Sequence, residues 1–153
     1  MEPSEPPFTS RPGQVDYTNI RYTPVVTCVV RQKDMVLVVQ RSPTMRLYPG
    51  LWNGISGFLD DDKSIEEKTI EELQEELGIT AGEIIAMRRG TIFHQEAPDH
   101  KKTWIVHPLL VDVTSREVTL DWEAREYRWV TVPEVGELEC VPGFEKVIAA
   151  LFP

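Results

Sequence analysis

The pattern of apolar and polar positions divides the chain into short β-like runs on either side of one amphipathic helix. Tyr22 to Val30 (YTPVVTCVV) is β-branched and apolar and predicts a strand. Met35 to Val39 predicts a second, with Arg31 to Asp34 as the hairpin turn between them. Ser42 to Gly50 holds two prolines and a glycine and predicts a loop. The period then changes. Ile70, Leu73 and Leu77 recur at helical spacing and define a buried stripe, Ser64 is placed to cap that helix, and Gly78 to end it. Two further strand-like runs lie around Ile84 to Phe93 and Trp104 to Val113, joined by the polar stretch Glu96 to Lys102. Arg128 to Val132 predicts a last strand, Pro133 to Leu138 a short helix and Phe144 to Leu151 a final helix. Strands before and after one central helix predict a mixed sheet covered by helices.

Composition narrows this picture. A chain of 153 residues supports one core, and with 41% apolar and 27% charged residues it reads as soluble and globular. Residues 1 to 15, with four prolines, predict a flexible tail ahead of a single domain over 16 to 153. The N-terminus lacks the basic start and apolar stretch of a secretory signal, and no apolar run approaches the roughly 20 residues of a membrane helix. Cys28 and Cys140 fit no metal-ligand spacing and, with Cys28 in a core-like run, point to a reducing, cytoplasmic setting. A net charge of −9 excludes an extended nucleic-acid surface but leaves room for a small phosphate ligand beside a local cation.

The central helix carries the chemistry. With Glu72 at zero, Glu76 falls near ~40° and Glu75 near ~300°, so the three carboxylates share an arc of about 100° flanking the apolar stripe. A solvated face usually pairs Glu with Lys at i+4. This one pairs Glu67 with Glu71, Glu71 with Glu75, and Glu72 with Glu76. Each like-charge pair costs about 0.2–0.5 kcal/mol, which a divalent cation would convert into ligation. Oxygen-only donors point to Mg²⁺ or Mn²⁺. A calcium loop starting at Asp60 is the competing register. It fails because Ile65 stands where the loop needs glycine and Glu67 where it needs an apolar residue.

Glu72-Leu73-Gln74-Glu75-Glu76-Leu77-Gly78-Ile79 matches the end of a known signature, E-U-x-E-E-x-G-U with U aliphatic, and Gly57 takes its first glycine. The chain thus resembles the Nudix (MutT-like) hydrolases over roughly residues 20 to 138, including Gly50-Leu51-Trp52 before the signature and Arg128-Trp129-Val130 after it. The resemblance implies an α+β fold, an α/β/α sandwich, and a metal-dependent hydrolase of a nucleoside diphosphate linked to another moiety. It implies Glu72, Glu75 and Glu76 as metal ligands, the Ser56 carbonyl as a further one, and Glu123, six residues before Trp129, as extra ligand or general base. Glu126, Glu96 and Asp99 are the alternates to Glu123. The partner implied is a small nucleotide diphosphate, with Mg²⁺ or Mn²⁺, and a homodimer stays open. Arg41 and Arg46 are candidate phosphate contacts, as are Arg88, Arg89, Lys101 and Lys102. Trp52, Trp104 or Phe93 could stack on a base. His94, His100 and His107 show no cluster spacing.

Two signature positions depart. Lys63 replaces the internal glutamate and Glu71 the arginine. The exchange is reciprocal, so a Lys63–Glu71 pair would dock the loop on the helix with reversed polarity. It also adds a negative charge beside the glutamates and opens a second reading, a Nudix-fold nucleotide-binding or regulatory module with impaired catalysis. Replacing Glu71 by Arg alone should destabilise the domain in urea unfolding. Adding Lys63→Glu should restore it, and a double variant no more stable than the single would refute the pairing.

Overall fold

The computed structural model describes residues 9–153; residues 1–8, within the expected tail, lie outside the described residues. Eight strands form one mixed sheet with a helix on each face: β1 (Tyr22–Gln32), β2 (Met35–Arg41), β3 (Trp52–Asn53), β4 (Ile55–Phe58), α1 (Ile65–Leu77), β5 (Ile84–Arg89), β6 (Phe93–Ala97), β7 (Lys102–Val113), β8 (Ala124–Val130) and α2 (Phe144–Leu151). β1 and β7 run parallel through its centre, from Tyr22 beside Thr103 to Arg31 beside Asp112, and the other pairings are antiparallel. This is the α+β sandwich expected.

Period-two alternation sends successive β1 residues to opposite cores. Val26, Cys28 and Val30 pack with Leu37, Leu109 and Val111 under Leu73 and Leu77 of α1. Val29 packs with Val106 and Leu110 under Phe144, Val147 and Leu151 of α2. The stripe read from the sequence is only partly the buried face. Leu73 and Leu77 are buried and Ile70 is half-buried, while Lys68 and Thr69, which the pattern passed over, are buried too.

The sheet opens where the site forms. Hairpin β1–β2 pairs through only Arg31–Val36 and Gln32–Met35, and its turn is tighter than expected, with Lys33 at φ 58°. The two strands then diverge. β4 takes over the freed edge of β1 and β3 that of β2. These two short strands lie beyond the predicted loop, in a stretch that the sequence pattern assigned to no element. Gly54 joins them at the apex of the fork, where a Cβ would fall 2.3 Å from the Cys28 carbonyl oxygen. The expected strand over Ile84 to Phe93 is two strands, β5 and β6, broken at Gly90, whose Cβ would meet Leu151, Ala150 and Pro108. β5 covers the second half of β7 and β6 the first. The last strand starts earlier than expected, at Ala124, and the short helix before α2 is a 3₁₀ turn, Pro133–Glu137.

Among the described residues no helix is long and apolar enough to cross a membrane. Gly54→Ala should cost about 1–3 kcal/mol in urea unfolding, because the clash is with backbone and not with a side chain that can turn away.

Candidate active site

The fork opens onto a cleft of about 760 Å³. One end is walled by the carboxylates of α1, and the floor is formed by Val25, Trp104 and Val106 of β1 and β7. α1 is held in register at both ends. Glu67 N–H donates to Ser64 Oγ (3.1 Å) and Ser64 N–H to Glu67 Oε1 (3.0 Å), closing a capping box. At the other end Gly78, at φ 67°, turns its N–H back to Gln74 and Leu73. Gly57 on β4 pairs with Val26 and so faces α1. A Cβ there would lie 3.0 Å from Glu72 Cγ, so the signature glycine lets Glu72 lie against the strand.

Glu71, Glu72 and Glu75 each offer an oxygen within 4.8 Å of the others. Glu76 turns inward. Its Oε2 is buried without a hydrogen-bond partner, and its carboxyl meets those of Glu72 and Glu123. Burial, then the charges of Glu123 and Glu72, push the Glu76 carboxyl well above the usual range. Burial also raises Glu72. Glu123 is raised to about 7, by burial first and then by Asp121, against opposing effects of the Glu76 hydrogen bond and the Arg41 charge. The cluster therefore fits a divalent cation on two grounds. The clustered donors of Glu71, Glu72 and Glu75 are all hard oxygens, and Glu76 beside Glu72, outside that group of three, holds a buried orphan oxygen. Glu71, one of the three clustered oxygens, was expected only as half of a pair with Lys63.

Other candidates separate clearly. Arg41, Arg46, Ser56 and Glu123 all line the cleft. Ser56 Oγ accepts from Asn53 Nδ2 (3.1 Å) and lies 3.2 Å from Thr27 Oγ1. Glu123 is held by its backbone, with Ser42 N–H donating to its carbonyl (2.8 Å) and its own N–H donating to Asp121 Oδ1 (3.0 Å). The alternates do not line it. Glu126 pairs with Arg128 (3.2 Å), Glu96 with Arg21 (2.8 Å), and Asp99 sits in a 3₁₀ turn. Arg88 donates to the Leu151 carbonyl (2.5 Å) and Arg89 forks onto Glu66 (2.7 Å), so both hold α-helices to the sheet and neither reaches the cleft. Lys101 is exposed in a turn and absent from the lining. Lys102 lines the cleft but spends its ammonium on the Tyr17 and Ile20 carbonyls and Thr23 Oγ1. Of the three candidate stacking residues, Trp104 lines the cleft, and Trp52 and Phe93 do not. The Trp104 indole N–H donates to the Tyr48 hydroxyl (2.9 Å), while Trp52 is buried under Arg128 and Phe93 lies beneath Lys146.

Next to the glutamates the expected Lys63–Glu71 pair belongs to a larger charge network, in which the parts of Asp60, Asp61 and Lys68 were not expected from the sequence. Lys63 Nζ lies 3.1 Å from both Glu71 Oε2 and Asp61 Oδ2. Lys68, almost fully buried, reaches Asp61 (3.0 Å) and Asp60 (3.5 Å). The signal was present as a run of three aspartates beside the two lysines. Burial pushes the Asp61 carboxyl up, but hydrogen bonds from Lys68 and from the Lys63 backbone and side chain prevail and hold it at about 2. A carboxyl held down in the folded state adds stability above its unfolded value and loses it as pH falls through the folded one. The protein should therefore lose stability from about pH 4 to about pH 2, and Asp61→Asn should flatten that slope in urea unfolding.

Comparison with known proteins agrees with this geometry. A family model described as NUDIX domain matches residues 21–151. The CTP pyrophosphohydrolase of Escherichia coli (strain K12) is 34% identical over 92 residues, 54% of this chain and 67% of the relative. The RNA pyrophosphohydrolase of Sphingopyxis alaskensis is 27% identical over 141 residues, 81% of this chain and 87% of the relative. The crystal structure of the MutT protein from Methanosarcina mazei superposes with a TM-score of 0.67 at 26% identity, covering 86% of this chain and 93% of that one. Signature helix, sheet and matched span coincide, and the chain belongs to the NUDIX domain family.

Proposed function

We propose that this Nudix-type pyrophosphohydrolase cleaves the diphosphate bond of a nucleoside diphosphate linked to another moiety, with Mg²⁺ or Mn²⁺ held by Glu72, Glu75 and Glu76. The observation that carries the reading is the placement of a carboxyl raised to about 7, Glu123, against the glutamate cluster in one cleft. Glu71, clustered with Glu72 and Glu75, and the carbonyl of Ser56, a residue of the same cleft lining, are the proposed further ligands. A divalent cation bound there would neutralise diphosphate charge and acidify a bound water.

The chain's own groups supply the rest. Water adds to one phosphorus, the P–O bond to the bridging oxygen breaks, and that oxygen leaves with the electron pair on the second phosphate. Glu123, in the same cleft and in contact with Glu76, takes the proton the water sheds. Arg41 and Arg46 line the same cleft and are the proposed contacts for the phosphate remote from the attack. Two thiols without a disulfide, Cys28 buried and Cys140 half-buried, support a cytoplasmic setting.

A second reading keeps one specific observation. The Lys63 ammonium sits 3.1 Å from Glu71, one of the three clustered carboxylates, and competes with a cation for that carboxylate. This favours a nucleotide-binding or regulatory module with weakened turnover. A panel separates the two: CTP, 5′-triphosphorylated RNA, ADP-ribose and diadenosine tetraphosphate, each with Mg²⁺ or Mn²⁺, scored for phosphate products. The hydrolase reading expects turnover on at least one member, and Glu75→Gln and Glu76→Gln each to lower kcat by about a thousandfold. Turnover that survives both changes would remove the site assignment. Thermal stabilisation by a panel nucleotide without turnover would establish the binding module instead.

A further inference from the structure

The family match begins at residue 21, yet the cleft has a wall made of residues before it. Arg11, Gln14, Val15, Tyr17 and Thr18 all line the cleft. They fall at the end of the expected tail and the start of the expected domain, and they are not loosely laid down. Gln14 Nε2 donates to Asp60 Oδ2 (2.8 Å), Val15 N–H to the Asp60 carbonyl (2.6 Å), and the Arg11 guanidinium lies 3.8 Å from Asp61. At the far end Lys102 donates to the Tyr17 and Ile20 carbonyls. Two local turns stiffen the span between. Gln14 N–H returns to the Arg11 carbonyl (3.0 Å), and Asp16 Oδ1 accepts from Thr18 N–H (2.9 Å) and Thr18 Oγ (2.5 Å).

The segment thus runs from the loop before α1, beside the glutamates, to the start of β7, beside Trp104. Its anchor is the pair Asp60–Asp61, the same carboxylates that Lys63 and Lys68 hold in place. The departures from the signature therefore do more than reverse one ion pair. Lys63 on Asp61, with Lys68 on both aspartates, sets the loop whose Asp60 receives Gln14 on its carboxylate and Val15 on its backbone carbonyl. The side chains left over are suited to a ligand. Arg11 is 62% exposed beside the carboxylate end, and Val15, 44% exposed, is an apolar cleft residue together with Phe58, 39% exposed. Exposed apolar side chains around one cleft lose water against a planar, partly apolar group, while the arginine suits a phosphate.

We propose that residues 11–18 are a substrate-contacting wall added by this chain to its family fold, latched on Asp60 and Asp61, with Val15 against the base of a nucleotide and Arg11 toward its phosphates. The proposal rests on the nucleotide reading above, and its test separates the two. Val15→Ser leaves the backbone latch intact and removes only the apolar contact. Gln14→Ala weakens the latch and leaves the Lys102 contacts in place. In the full chain, on the panel nucleotide turned over best, Val15→Ser should raise KM about tenfold with kcat and Tm unchanged. Gln14→Ala should raise KM in the same direction. Hydrogen exchange on the wild-type chain should show the Val15 and Thr18 amides slowed about tenfold by the α,β-methylene analogue of that nucleotide. If no nucleotide turns over, the same variants are compared by Kd for the nucleotide that stabilises the chain most. The hydrolase reading then fails while the wall stands or falls on those constants. An unchanged KM or Kd in both variants, with exchange at Val15 and Thr18 indifferent to nucleotide, overturns the wall. Binding by no panel member overturns both.

Discussion

Mutually repelling carboxylates in this protein are held together by the burial of a leucine stripe on the same helix. Leu73 and Leu77 are almost fully buried against β1 and β7 and contribute about 1.5–3 kcal/mol each. Each like-charge i,i+4 pair on α1 costs about 0.2–0.5 kcal/mol. The apolar contacts win by a wide margin, so the helix cannot rotate to relieve its charges. Glu76, next to Leu77, is carried inward with the stripe until its Oε2 loses all contact with water. A crowd of carboxylates that repel one another is the consequence, and a raised Glu76 carboxyl is how the fold tolerates it.

The cleft depends on a second constraint, the divergence of β1 from β2. Once the hairpin has paired two residues on each strand, both strands expose edges that something must satisfy. β3 and β4 do so, and the glycine between them fits under the Cys28 carbonyl where no Cβ could. The same short strands carry Asn53, Ser56 and Gly57 to the cleft and to Glu72. Backbone pairing and site construction are thus one event, and the signature glycine is a packing requirement of Glu72.

The reversed charges at Lys63 and Glu71 look like damage when only the signature is considered. In three dimensions they belong to a larger exchange. Lys68, buried on α1, brings a second cation to the same loop, and Asp60 and Asp61 answer both lysines. Buried ionic groups of this kind add little net stability, since desolvation offsets much of the attraction. Their effect is positional. The loop before α1 is held where its aspartates can also receive Gln14 and Val15.

The sequence by itself determined the glutamate helix, its caps, the long strands β1, β2 and β7, and α2. These follow from local rules: a capping serine, a terminal glycine, a leucine stripe, and β-branched runs long enough to be read without their partners. The resemblance to the family also implied Glu123, with Glu126, Glu96 and Asp99 as alternates, and only the fold put Glu123 in the cleft lining and the other three outside it. Tertiary structure decided what depends on partners distant in the chain. β3 and β4 have two and four residues, too few for any periodicity, and exist because β1 and β2 offer them edges. Gly90 breaks the expected strand because Leu151 and Pro108 crowd it from elsewhere. Arg88 and Arg89, plausible phosphate ligands in one dimension, are taken by Leu151 and Glu66. The placement of residues 11–18 was invisible for the same reason: a mostly polar stretch has no core of its own, and its contacts come from far along the chain, with Gln14 and Asp60 separated by 46 and Lys102 on the Tyr17 carbonyl.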